Sequence, residues 1–110
     1  MDNKGGWKLD NDKIRYELLP PIALHARATI FTFGAKKYDD RNWEKGISYS
    51  RLFGALMRHL WAWWSGVDKD DESGESHLWH AGCCLDMLIH HEQYKKDFDD
   101  RPKEINEGDS

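Results

Sequence analysis

Apolar positions along the chain fall into three stretches with helical spacing, separated by charged or glycine-bearing segments. Before the first, Lys13-Ile14-Arg15-Tyr16-Glu17-Leu18 alternates polar and apolar, the pattern of an extended arm or short strand. Pro20-Pro21 then suits a helix start, and a first helix is predicted from Pro21 to Phe33 with Gly34 as its stop. The segment Ala35 to Gly46 has no period and reads as a loop. A second helix is expected from Ser48 or Ser50 to Gly66. Its residues Leu52, Phe53, Leu56, Met57, Leu60, Trp61, Trp63 and Trp64 cover more than half the circumference, opposite a strip of Arg51, Ala55, Arg58, Ala62 and Ser65, with His59 at the border. The acidic loop Asp68 to Gly74 leads to a third helix over Glu75–Gln93. At about 100° per residue, His77, His80, Ala81, Cys84, Leu88 and His91 share one face, opposite Trp79, Gly82, Asp86 and His90. From Lys95 to Ser110 the chain is charged and aperiodic, a tail expected to be frayed or disordered.

This pattern predicts an all-α fold: a small helical domain of three main helices with an extended N-terminal arm. The divisions are 1–18 for the arm, 19–94 for the helical domain and 95–110 for the tail. In a chain of 110 residues the wrapped apolar surface of the second helix exceeds what one small core can cover. The bundle is therefore expected to be completed by oligomerisation, as a homodimer or homotetramer. The six tryptophans divide accordingly: Trp61, Trp63, Trp64 and Trp79 belong to helices, Trp43 to the loop and Trp7 to the arm.

A net charge of -4 argues against a duplex nucleic-acid partner, which calls for a basic face. No apolar run approaches the length of a membrane span, and Met1 to Lys8 lacks a signal-peptide core. The two cysteines, Cys83 and Cys84, are adjacent and offer neither a disulfide framework nor a CxxC zinc site. A reduced, cytoplasmic setting is expected.

Two clusters carry candidate chemistry. Asp68, Asp70, Asp71 and Glu72 offer hard oxygen ligands, and His77 and His80 point the same way one turn apart. The same acids also complement a helix dipole, and histidines on a helix face also serve as packing residues. Neither an EF-hand, a His-Asp pair nor HExxH is present. In the loop, Lys36, Lys37, Arg41 and Lys45 can neutralise phosphates while Tyr38 or Trp43 stacks on a base, or the aromatics simply anchor the loop to the body. Arg51 and Arg58 either face a cleft or solvent.

The ordered set Leu18-Leu19-Pro20, Phe33-Gly34-Ala35-Lys36-Lys37-Tyr38, Arg41-Asn42-Trp43, Gly46, Tyr49-Ser50-Arg51, Arg58-His59-Leu60, Ala62-Trp63, Asp70, Glu72-Ser73-Gly74, His77-Leu78 and His80-Ala81 resembles the phage-type dATP/dGTP diphosphohydrolase domain. The resemblance covers about residues 10–92 and implies kinship with MazG-like all-α NTP pyrophosphohydrolases, which assemble helices from several subunits around divalent ions. It implies metal-dependent hydrolysis of purine (deoxy)nucleoside triphosphates to monophosphate and pyrophosphate, reshaping a nucleotide pool in a host cytoplasm during phage infection. On this reading Asp70 and Glu72 are catalytic and, with His77 and His80, hold Mg2+ or Mn2+. Lys13, Arg15, Lys36, Lys37, Tyr38, Asn42, Trp43 and Arg58 bind the nucleotide. Two departures stand out: the family often has Gly-Glu where this chain has Gly66-Val67, and the better-known members carry Glu-rich helical repeats where this chain has His77 and His80. A nucleotide-sequestering module without turnover and a helical oligomeric interaction protein are the alternatives.

Overall fold

The computed structural model describes residues 12–103, and Trp7 and the last seven positions lie outside them. Three helices form the body: α1 over Pro21–Tyr38, α2 over Tyr49–Trp64 and α3 over His77–Tyr94. Short 3-10 turns occupy Tyr16–Leu18, Asn42–Lys45 and Lys96–Phe98. Among the described residues there is no strand, only an isolated bridge between Lys69 and Ser76. The fold is all-α, with three main helices as the periodicity predicts.

Helix α3 is the central element, packed along α2 on one side and crossed by α1 on the other. The buried residues are few, and three of them are small: Ala26 and Ile30 from α1, Tyr49 and Leu52 from α2, and Ala81, Cys83 and His91 from α3. Small side chains let the helices approach closely. Gly82 illustrates this, since a Cβ there would lie 3.3 Å from the Arg27 stem, which crosses α3 to place Nε 2.5 Å from Asp86 Oδ2. Trp79 meets His25 edge-on at 5.8 Å, so it too faces α1.

Three boundaries differ from expectation. Helix α1 does not stop at Gly34 but runs to Tyr38, where Asp39 at φ 90° ends it. A glycine inside a helix costs only about 1 kcal/mol, and Ala35-Lys36-Lys37 are good helix formers that place cations at the negative end of the helix dipole. Lys36, Lys37 and Tyr38 are therefore on a helix, not in a loop. The arm is not extended over Tyr16–Leu18: without a neighbouring strand, its backbone bonds locally, Leu18 N–H to Arg15 O and Leu19 N–H to Tyr16 O, both at 3.1 Å. The segment after Lys95 does not fray at once. Phe98 seats its ring against Gly46, whose φ of 122° and lack of a Cβ the contact requires, since a Cβ would come within 2.1 Å of that ring. Asp100 Oδ1 then accepts the Ser50 N–H at 2.8 Å in the first turn of α2, where the Ser48 side chain makes no cap bond.

His91 ties these pieces together. Its side chain is fully buried, its Nε2 accepts the Ile47 N–H at 3.1 Å, and its carbonyl accepts the Tyr49 hydroxyl at 2.8 Å. Trp43 stacks on it at 6.1 Å and Phe98 lies 6.2 Å away. Accepting a hydrogen bond requires an unprotonated Nε2, and burial, followed by the charges of His90 and Lys95, lowers the His91 pKa from its ordinary 6.5. The unfolded imidazole thus takes up a proton before the folded one as pH falls, so this contribution to stability is lost below about pH 6.5. Urea unfolding across a pH series should show the midpoint falling in that range. The His91→Leu variant should lose about 1–3 kcal/mol at neutral pH, because the Ile47 N–H is left unpaired, and should show a flatter pH dependence.

Candidate metal and nucleotide site

The loop between α2 and α3 folds back on itself. Asp70 N–H bonds Glu75 O, Gly74 N–H bonds Asp70 O and His77 N–H bonds Asp68 O, all at 2.8 Å, and Gly74 provides the positive φ of 75° that closes the turn. The Asp70 carboxylate reinforces it: Oδ2 accepts the Ser73 N–H at 3.0 Å and the Ser73 hydroxyl at 3.1 Å. Ser76 caps α3 by accepting the Leu78 N–H at 3.1 Å. This closed loop sets Asp70 beside the first turn of α3.

Two of the predicted acidic and histidine ligands on that turn, His77 and His80, converge with Asp70, and a third imidazole joins them from α2. His59 Nδ1 lies 2.9 Å from His77 Nδ1, and the His59 ring stacks on His80 at 4.7 Å with an interplanar angle of 13°. Candidate ligand atoms of His59, Asp70 and His77 all lie within 4.8 Å of one another. His80 Nε2 lies 2.6 Å from Ser73 Oγ and 3.6 Å from Asp70 Oδ2, and Phe33 of α1 meets the His80 ring edge-on at 6.4 Å. Since the ionised Asp70 only accepts, the single Ser73 hydroxyl proton goes to it, and His80 Nε2 is the N–H that donates to Ser73 Oγ.

The electrostatics match. Burial lowers the His59 pKa, helped by His80 and His77, and burial likewise lowers that of His80 against the opposing pull of Asp70. Burial raises the Asp70 carboxyl, but the Ser73 backbone and hydroxyl bonds and the nearby imidazoles outweigh it and hold it below the usual range. Lone pairs on neutral imidazoles beside an ionised carboxylate are what a divalent cation requires.

Glu72 does not join this group. Its carboxylate pairs with the Lys37 ammonium, a pair that ties the end of α1 to the loop and holds Lys37 above its ordinary pKa. Lys37 also lies over the Tyr38 ring at 5.1 Å, and Lys36 and Tyr38 are exposed beside it. Arg58 and Arg51 line an open concavity of 520 Å³ with Ile47, Ser50, Leu52 and Ala55. Lys13 and Arg15 are exposed on the arm, where Arg15 Nε bonds the Glu17 carboxylate at 2.8 Å. Asn42 and Trp43 sit in the 3-10 turn after α1. The Trp43 ring packs against Phe31 at 5.5 Å and His90 at 4.8 Å, which is the loop-anchoring role. Burial pushes the Cys83 thiol up to about 12 and raises Cys84, so neither is a ready nucleophile.

The model of the dATP/dGTP diphosphohydrolase N-terminal family matches residues 3–101. The chain belongs to this family. No curated relative and no solved structure matches it. The family's description names a diphosphohydrolase, and its match spans all three helices and the His59–Asp70–His77 cluster. Among the described residues no helix is long and apolar enough to cross a membrane.

His59 escaped the sequence reading because it sits at the border of the helix two strip, and only the pairing of α2 with α3 shows its neighbours. The adjacent Arg58-His59 pair preceding an acidic loop was the available signal. The anchoring of Trp43 has a direct test. Trp43→Ala should lower the free energy of urea unfolding by about 2–3 kcal/mol, less than a fully buried tryptophan because the residue is only partly buried.

Proposed function

We propose that the protein is a metal-dependent hydrolase that converts purine deoxynucleoside triphosphates to the monophosphate and pyrophosphate. The observation that carries this reading is the juxtaposition of imidazole and carboxylate donors at Asp70, His59 and His77 in a chain of the diphosphohydrolase family. The donor set fits a divalent ion, Mn2+ better than Mg2+ because two of the three donors are imidazoles. When bound, such an ion supplies polarisation of phosphate oxygens and acidification of water.

The chain's own residues do the rest. Asp70 is held ionised and oriented by Ser73, so its position does not change as charge builds on the phosphates. Lys36 and Lys37, on the last turn of α1, and Arg58, on α2, supply cations for the triphosphate. Lys37 exchanges Glu72 for phosphate in this scheme, leaving Glu72 to accept the proton of the attacking water. Tyr38, exposed at the end of α1 beside Lys37, flanks the base and sugar, while Trp43 keeps its anchoring contacts with Phe31 and His90. Water attacks a phosphorus, its oxygen forms the new P–O bond, the α–β anhydride breaks, and pyrophosphate leaves. A role in reshaping a nucleotide pool during phage infection is part of this proposal, resting on the resemblance to the phage-type domain.

A homo-oligomer is part of this proposal. Phe53, Met57, Trp61 and Trp64 recur along one side of α2 at 55%, 42%, 67% and 71% exposure, and Leu78, Leu85 and Ile89 add to the apolar surface from α3. Such a contiguous face is unusual on a monomer. The fitting occupant is the same face of a second copy, burying the tryptophans in a shared bundle.

Incubation of the protein with each dNTP and Mn2+, resolved by chromatography, should yield monophosphate and pyrophosphate from dATP or dGTP. Asp70→Asn should lower the rate at least about 100-fold while retaining helicity. Absence of both products from every purine triphosphate would overturn the hydrolase reading. Sedimentation velocity should give a species of at least two chains, and the double variant Phe53→Asp, Trp61→Asp should shift it to the monomer. A monomeric parent protein would remove the oligomer from the proposal.

A further inference from the structure

The cluster contains more information than the presence of a site: it separates the residues that can touch an ion from those that cannot. This rests on the reading that the cluster binds a metal ion, and it concerns which atoms do so and which ions they prefer.

His59 and His77 present Nδ1 atoms 2.9 Å apart. Two nitrogens at right angles on one ion, each about 2.1 Å from it, stand about 3.0 Å apart, so the pair is already spaced as adjacent ligands. Asp70 commits Oδ2 to Ser73, leaving Oδ1 as the oxygen without a hydrogen-bond partner among the described residues. The ligand atoms of these three residues fit within 4.8 Å, close to the span that one coordination sphere covers. His80 differs: its Nε2 carries the proton given to Ser73 Oγ, and Ser73 in turn holds Asp70. A histidine that reaches the carboxylate ligand through a hydroxyl orients that ligand without binding the ion. Glu72 is drawn away by Lys37.

We propose that His59, Asp70 and His77 form a two-histidine, one-carboxylate centre for a single transition-metal ion of the manganese-to-zinc series, in preference to Mg2+, with His80 as a positioning residue. The selectivity follows from donor type. Imidazole nitrogen suits borderline ions such as Zn2+, Co2+ and Mn2+, whereas Mg2+ prefers oxygen and gives up its waters reluctantly. A set with two nitrogens in three donors therefore discriminates against Mg2+ before any nucleotide arrives. Three protein donors would leave further coordination positions for water or substrate.

The test uses the full chain stripped of metal by chelator and titrated without nucleotide. Calorimetry should report one Co2+ or Zn2+ per chain and no comparable heat with Mg2+, and Co2+ should develop visible absorption. His59→Ala should weaken Co2+ binding at least about 100-fold, and His80→Ala by about tenfold or less. His59→Cys should restore binding and add a thiolate-to-cobalt charge-transfer band, a signature that a purely structural histidine would not produce. Circular dichroism checks that each variant keeps its helices. Mg2+ binding as tight as Co2+, or a loss in His80→Ala equal to that in His59→Ala, would overturn the assignment while leaving a metal site in place. No binding of any divalent ion, with or without dATP, would overturn the metal reading itself.

Discussion

The antiparallel pairing of α2 with α3 is the constraint on which the site depends. Tyr49 at the start of α2 bonds the His91 carbonyl near the end of α3, and His59 meets His77 and His80 near the other end, so one register runs along the whole pair. The connecting loop enforces that register. Its three 2.8 Å backbone bonds and the positive φ of Gly74 consume the polar groups that would otherwise point into solvent, and they leave Asp70 facing the histidines. Slipping the register would separate His59 from His77 and detach Tyr49 from His91 together.

Histidine serves two opposed purposes in this chain. His91 sits in the protein interior with its proton count dictated by a backbone donor, and it organises Ile47, Tyr49, Trp43 and Phe98 around itself. His59 and His77, only partly covered, bring ring nitrogens close together near a carboxylate. Burial depresses the pKa of both His91 and His59, so proton affinity alone does not distinguish them. The difference lies in the partner: a peptide N–H consumes the His91 lone pair, whereas His59 shares its edge with another imidazole.

The thin core explains the remaining features. With small residues such as Ala26, Ala81 and Cys83 at its centre, the single chain draws cohesion from polar devices: Arg27 laid over Gly82 to reach Asp86, Lys37 with Glu72, and Asp100 on the first turn of α2. Partly exposed ion pairs contribute little individually. Phe53, Met57, Trp61 and Trp64 of α2 stay outside this core, where their area is available for association.

Much was legible in the residues alone. Helical spacing located three helices, the Ser and Gly punctuation bounded α2, and the ordered motifs pointed to the family, because periodicity and capping are local properties that neighbouring residues decide. Asp70, His77 and His80 were readable as a group for the same reason: they lie within a loop and one turn. The continuation of α1 through Gly34 was not, since a weak local penalty yields to the residues that follow and to a pair with Glu72 made across 35 positions. Nor was the partnership of His59 with His77, the loss of Glu72 to Lys37, or the inward turn of Trp43. Each depends on which helix faces which, and that is decided by burial and hydrogen bonding between segments distant in sequence, to which no local pattern gives access.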